Sequence, residues 1–255
     1  MLDWLLDQGA DINRTDSQRL DSGFNLAPGE TDNSLHVLNN IAASGDMDLF
    51  DHLVSRGADT SLCTALHAAS RCPDSQKSIA MVRHLLDNHN MDIERNNKDL
   101  RRFMHDPHDF GTPLCSAVIH KNLAVVHELL ARGARVNAPF YFPIDYAVTE
   151  GGFMPALEPL LRAGADASDA LQQCVLTRNI EAAKVCLQFG ADPAPALRKA
   201  IEWEAYRADR IAEGAACHES DPQWSNKKSE SLNERQRAEE RDSQAMVKLL
   251  ESAME

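Results

Sequence analysis

Apolar pairs, most often Leu-Leu, recur along this chain, and in five copies two further residues separate the pair from a glycine. The phrase reads Leu5-Leu6-Asp7-Gln8-Gly9-Ala10-Asp11 near the start and Leu53-Val54-Ser55-Arg56-Gly57-Ala58-Asp59 further on. It returns as Leu129-Leu130-Ala131-Arg132-Gly133-Ala134-Arg135, Leu160-Leu161-Arg162-Ala163-Gly164-Ala165-Asp166 and Cys186-Leu187-Gln188-Phe189-Gly190-Ala191-Asp192. A looser copy, Leu85-Leu86-Asp87-Asn88-His89, fills the widest gap. Each phrase predicts a helix that stops on a glycine in the left-handed region, followed by an exposed turn.

A second helix-sized stretch precedes each phrase. The clearest runs Thr112-Pro113-Leu114-Cys115-Ser116-Ala117-Val118, turns at Lys121-Asn122, and continues Leu123-Ala124-Val125-Val126-His127-Glu128-Leu129-Leu130. Pro113 suits a first helical turn, where a missing N–H costs nothing. Val125, Val126, Leu129 and Leu130 fall on one helical face. Each unit is therefore a helix–turn–helix that cannot bury its apolar face alone, and stacking of neighbours supplies the missing contacts.

Thr112-Pro113-Leu114, Thr64-Ala65-Leu66-His67 and the weaker Phe142-Pro143-Ile144-Asp145 match the Thr-Pro-Leu-His opening of ankyrin repeats, with Cys115 in the place of one histidine. With the glycine phrases in order and spacing, the chain resembles the ankyrin-repeat family from residue 1 to about 203, and again at Met246-Val247-Lys248-Leu249-Leu250. The resemblance implies an all-α solenoid of about six to seven units, the first truncated and the last enlarged. A single domain over 1–255 is expected, with units at 1–13 (partial), 35–60, 63–93, 111–138, 142–167, 168–193 and 194–254. The start within a unit leads us to expect either a longer array upstream or an imperfect gene model.

Irregular spacing locates the departures from a generic array. Gly9 to Gly57 spans 48 residues, Gly133 to Gly164 spans 31, and Gly164 to Gly190 only 26. Insertions are expected at 14–33, 94–110 and 204–242, the last as two lengthened helices or as a charged disordered segment. Ser168-Asp169 is expected to cap the first helix of the short unit, and Pro73-Asp74-Ser75-Gln76 to widen a turn.

Composition narrows the function. A formal charge of −13 disfavours nucleic acid, which needs basic surface to displace counterions, and suits a basic partner. No stretch approaches the ~20 apolar residues of a membrane span. The six cysteines form no Cys-x-x-Cys pair and mostly sit in apolar runs, so free buried thiols and a cytoplasmic location are expected, with a nuclear one also compatible.

Candidate chemistry is sparse. His105-Asp106-Pro107-His108-Asp109 gathers metal-type donors, but Pro107 prevents a regular helix and no partner cluster is apparent. Cys217-His218 lacks a third orienting group. His67 matches the family histidine that makes a structural hydrogen bond, with Thr64 as the expected partner. No phosphate loop, nucleophile elbow or paired zinc motif occurs, so no catalytic residue, metal or cofactor is expected and the chain is read as not an enzyme. Val136-Asn137 after Leu129 resembles the context in which some ankyrin proteins are asparagine-hydroxylated; the simpler reading is a turn-supporting asparagine.

Family members bind other proteins through first-helix ends and projecting turns, and the resemblance carries this role to matching positions. These are Ile119 and His120, Thr149 and Glu150, and Leu176 and Thr177, together with Asn137, Phe140 and Tyr141 on the turn 137–142. Phe140-Tyr141-Phe142 is unusual in a chain with only 5% aromatics, and rigid aromatics suit interface anchors. Phe142 is expected to pack inward beside Pro143. The expectation is a monomeric, non-catalytic scaffold or adaptor with a protein partner. The alternative is a regulatory or targeting ankyrin arm of a larger enzyme or receptor.

Overall fold

The computed structural model describes residues 2–14, 31–32, 35–97, 101–102, 111–137, 142–149, 151–218 and 226–255, with side chains left aside at 31–32, 101–102, 207–218 and 226–236. The chain divides into two compact units, Met1–Tyr146 and Ala147–Glu255. The fold is all-α, as the spacing predicts.

In the first unit short helices alternate as firsts and seconds. A lone second helix, α1 (Leu2–Asp7), opens the chain. Then come α2 (His36–Ser44) with α3 (Met47–Ser55), α4 (Ala65–Ala69) with α5 (Ser75–Asn88), and α6 (Pro113–Ile119) with α7 (Leu123–Ala131). Leu38, Phe50, Leu53, Met81, Leu85, Leu114 and Leu129 are fully buried between the layers. The helix α8 (Pro143–Val148) spans the division between the units.

The glycine phrase closes second helices in one way. At Gly133 (φ 85°) the glycine N–H donates to the Leu130 carbonyl at 3.0 Å, and the Ala134 N–H reaches back to Leu129 at 3.0 Å. This is a Schellman closure, and it satisfies two carbonyls that the helix end would leave open. The same bond pair recurs at Gly9, Gly57, Gly164 and Gly190. Ala58, Ala134, Ala165 and Ala191 are buried beneath it, which explains why alanine follows glycine in the phrase.

The other helix ends use short polar side chains. Asp46 caps α3 by accepting from Leu49 N–H at 3.0 Å, and Asp74 caps α5 through the N–H groups of Gln76 and Lys77. Ser75 and Gln76, expected in a widened turn, are thus the first residues of α5. Asn122 accepts from Val125 N–H and turns its amide back to the preceding repeat, donating to the Ser70 carbonyl (3.2 Å) and Ser78 Oγ (2.9 Å). His67 Nε2 meets the Gly111 carbonyl at 2.9 Å, while the Thr64 N–H donates to Asn39 Oδ1 at 2.7 Å. The histidine is structural, as expected, but this bond runs forward to the next repeat. Pro113 opens α6, and the Thr112 hydroxyl contacts Cys115 Sγ at 3.7 Å.

Two of the expected insertions meet. Thr31–Asp32 (β1) pairs antiparallel with Arg101–Arg102 (β2), joining the end of the segment 14–33 to the middle of 94–110.

The second unit contains α9 (Leu157–Arg162), α10 (Ala167–Thr177), α11 (Ile180–Gln188), α12 (Pro193–His218) and α13 (Asn226–Ser252). Its core is built on small residues: Ala170, Cys174, Ala182, Ala183, Cys186, Ala196 and Ala200 are buried, with Leu157, Leu160, Leu171, Met246 and Leu250. Asp166, and not Ser168-Asp169, caps α10, accepting from the N–H groups of both those residues. The aspartate of the phrase itself therefore starts the next helix. Asn179 repeats the Asn122 device, capping α11 through Ala182 N–H and donating to the Val148 carbonyl at 3.1 Å. The backbone of 204–218 and 226–242 is helical, so the described part of the expected insertion 204–242 belongs to two long helices.

Two stability outcomes follow from these ends. A Cβ at Gly133 would meet nothing within 4 Å, so Gly133→Ala is expected to cost about 1–2 kcal/mol in urea unfolding from left-handed strain alone. Gly133→Asn should cost less, and equal stability of the Ala variant would refute the closure. Asn122→Asp keeps the capping oxygen but loses the amide donors, and is expected to cost about 1–3 kcal/mol by leaving a buried carbonyl unpaired.

Candidate protein-binding surface

First helices carry the expected binding residues, and their burial decides what is available. Residues 113–118 of α6 are buried, and exposure begins only at its last residue. Ile119 is half-buried there and His120 is exposed as the helix C-cap. The imidazole is not loose: His120 Nδ1 lies 2.9 Å from the Ser116 carbonyl. The Ser116 hydroxyl in turn donates to the His67 carbonyl at 3.1 Å, so the end of α6 is tied to the repeat before it. Asn137 is exposed on the turn that follows α7.

In the second unit Thr149 is exposed just after α8, and its carbonyl accepts from Gly152 N–H at 2.8 Å. Leu176 and Thr177 are half-buried at the end of α10. The Thr177 hydroxyl is engaged within the fold, between the carbonyls of Gln173 (3.0 Å) and Val148 (3.1 Å). That bond brings the end of α10 beside the end of α8, so Thr177 and Thr149 share one edge. Phe140, Tyr141 and Glu150 lie outside the described residues, as do His105 to Asp109 and the side chains of Cys217 and His218. Phe142, expected to pack inward, is 37% exposed; Pro143 and Ile144 take the buried places at the start of α8.

Sequence reasoning missed the surface of the second helices. An ion-pair ladder runs across them in the first unit. Asp3 and Asp7 of α1 meet Arg56, and Asp3 also meets His52 at 2.7 Å. Arg83 of α5 donates to Glu128 of α7 at 2.7 Å, and Arg132 reaches Glu128 (2.7 Å) and Asp87. Between these, Asp51 of α3 takes two imidazoles on one oxygen, His84 Nε2 and His89 Nε2, each at 2.7 Å. Burial pushes the Asp51 carboxyl up, but the two imidazole bonds outweigh it and hold it below its ordinary value. The hydrogen bond from Arg83 does the same for Glu128, and that from His52 for Asp3.

A cleft of about 260 Å³ opens near the start of α4, lined by Thr60, Thr64, His67, His89, Met91 and Arg95 among others. The five described cysteines are buried and form no disulfide with one another. Burial pushes the thiols of Cys63 and Cys115 up to about 11, which keeps them neutral and unreactive near neutrality. Among the described residues no helix is long and apolar enough to cross a membrane.

The repeated pairs, their glycine closures and their capped turns define a stacked helical-repeat protein. The family model for ankyrin repeats, in three copies, matches residues 32–139, and that part of the chain is built of ankyrin repeats. No curated protein matches it. Ankyrin repeats are in general protein–protein interaction modules.

Acid should weaken the ladder. Asp3 and Glu128 are held below their unfolded values, so their contribution is present above the ordinary carboxylate range and is lost as pH falls through the folded values. The melting midpoint at low salt is expected to drop below about pH 4. Glu128→Gln should shrink that drop; an identical acid profile would show that the ladder contributes nothing.

Proposed function

We propose that this chain is a non-catalytic scaffold or adaptor that binds a protein partner through its first-helix ends and the turns beyond them. The observation that carries the reading is the ankyrin match over 32–139, in which α6 buries all but its last residue and so presents Ile119 and the C-cap His120 as its accessible residues. Asn137 is exposed on the turn that follows α7, and Phe140 and Tyr141, next in the sequence, are proposed as its partners in binding. In the second unit Thr149, Glu150, Leu176 and Thr177 are the corresponding positions.

A basic partner fits the net charge of −13, with exposed Glu181 able to speed association as a rim charge. Free buried thiols suit a reducing compartment, so we place the protein in the cytoplasm or nucleus, as a monomer.

Affinity capture from cells with crosslinking and mass spectrometry would give a partner. Ile119→Ala and Tyr141→Ala are then expected to weaken its binding about tenfold each, as anchor residues do. Unchanged affinity in variants with native circular dichroism and melting would remove the proposed surface.

A further inference from the structure

Asp51, His84 and His89 belong to neighbouring repeats, and only the stacking of α3 on α5 brings them together. Their ligand atoms all lie within 4.8 Å of one another. Both imidazoles present Nε2, and both aim at the same oxygen, Asp51 Oδ1. Three donors converging on one point from two elements is the arrangement a cation requires.

The rings are held in place from behind. His84 Nδ1 lies 2.9 Å from the side-chain amide of Asn88, one helical turn on. Rotating that amide presents its oxygen to Nδ1–H, which fixes the tautomer with a free lone pair on Nε2. His89 sits edge-on to the fully buried Phe50 ring at 5.1 Å between centroids, and edge-on to His84 at 5.2 Å. The histidine side chains are 12% and 13% exposed against 49% for Asp51, so the cluster is shielded behind and open in front.

We propose that Asp51, His84 and His89 form a binding site for a divalent transition metal of the zinc class, with water completing the coordination. Nitrogen donors select this class over calcium or magnesium, which take oxygen. Zinc bonds of about 2.0–2.2 Å in a tetrahedron place neighbouring ligand atoms about 3.3–3.6 Å apart, so each nitrogen must draw back from the Asp51 oxygen by somewhat more than half an ångström while the two nitrogens, at most 4.8 Å apart, settle at the same spacing. Binding takes neutral histidine with the proton moved from Nε2 to Nδ1: at His84 the rotated Asn88 amide accepts the Nδ1–H, and at His89 solvent water carries the proton across and accepts it. The ion would clamp α3 to α5, a cross-link between repeats that binds the folded chain and not the unfolded one.

The experiment is titration of the chelator-stripped full chain with Zn²⁺ by calorimetry and with Co²⁺ by visible absorption. We expect one equivalent bound, a cobalt d–d band and a rise in melting midpoint with zinc. Asp51→Ala and His84→Gln should each weaken binding at least about tenfold, and Asn88→Leu about tenfold, while Asn88→Asp restores or tightens it. The double variant H105A/H108A should bind as the parent does. Absence of binding at millimolar metal overturns the site, as does binding that survives Asp51→Ala or is lost in H105A/H108A. Asp51 is half-exposed, so its variant tests the site even if substitution at the more enclosed histidines lowers stability.

Discussion

A helix of seven residues is mostly ends. Four N–H groups at its start and four carbonyls at its finish have no partner within it, so an array of short helices stands or falls on how those groups are satisfied. In this chain two devices carry most of the burden. Left-handed glycines fold the last turn of α1, α3, α7, α9 and α11 back on itself, and Asp or Asn side chains cap the starts of α3, α5, α7, α10 and α11. Asn122 and Asn179 go further, because one amide caps its own helix and reaches a backbone carbonyl of the preceding repeat. Local capping and stacking are thereby the same interaction, and a repeat cannot close properly without its neighbour.

That coupling decides which surfaces are free. The first helices α4 and α6 are drawn into the stack by buried polar bonds, His67 to Gly111 and Ser116 to His67, and of α6 only the final residue emerges. Second helices keep an outer face, which is occupied by alternating charges from α1 through α7. Exposed pairs of this kind contribute little each, and they act more by fixing the alignment of adjacent repeats than by adding stability. Within the ladder the Asp51 position differs, since its partners are imidazoles with lone pairs and not permanent cations.

The sequence was most legible where chemistry is local. The glycine closures, Pro113 at a helix start and the capped turn at Asn122 all depend on residues a few positions apart, so a repeated phrase exposes them. The end of α6 as the accessible part of its repeat followed from the same register. Asp51, His84 and His89 were not legible, because 33 and 38 residues separate the partners and no motif spans that distance. The cap of α10 was misassigned by two residues for a related reason. Ser168 and Asp169 look like capping residues, but Asp166 already stands at the extended position where a cap must sit, and it takes both their N–H groups. Phe142 misled because hydrophobicity alone does not choose between neighbours, and Pro143 and Ile144 filled the space first.

In the second unit the three residues Gly164-Ala165-Asp166 end one helix and begin the next, and Gly190-Ala191-Asp192 does the same ahead of α12. Such a joint contains its own stop and start signals, with no private loop sequence between them. A recombination event that cuts within the triplet therefore rejoins any second helix to any first helix with both ends already capped. Gene-level gain or loss of whole repeats at these joints needs no new turn to be invented, which makes repeat number in this half of the chain an easily inherited variable.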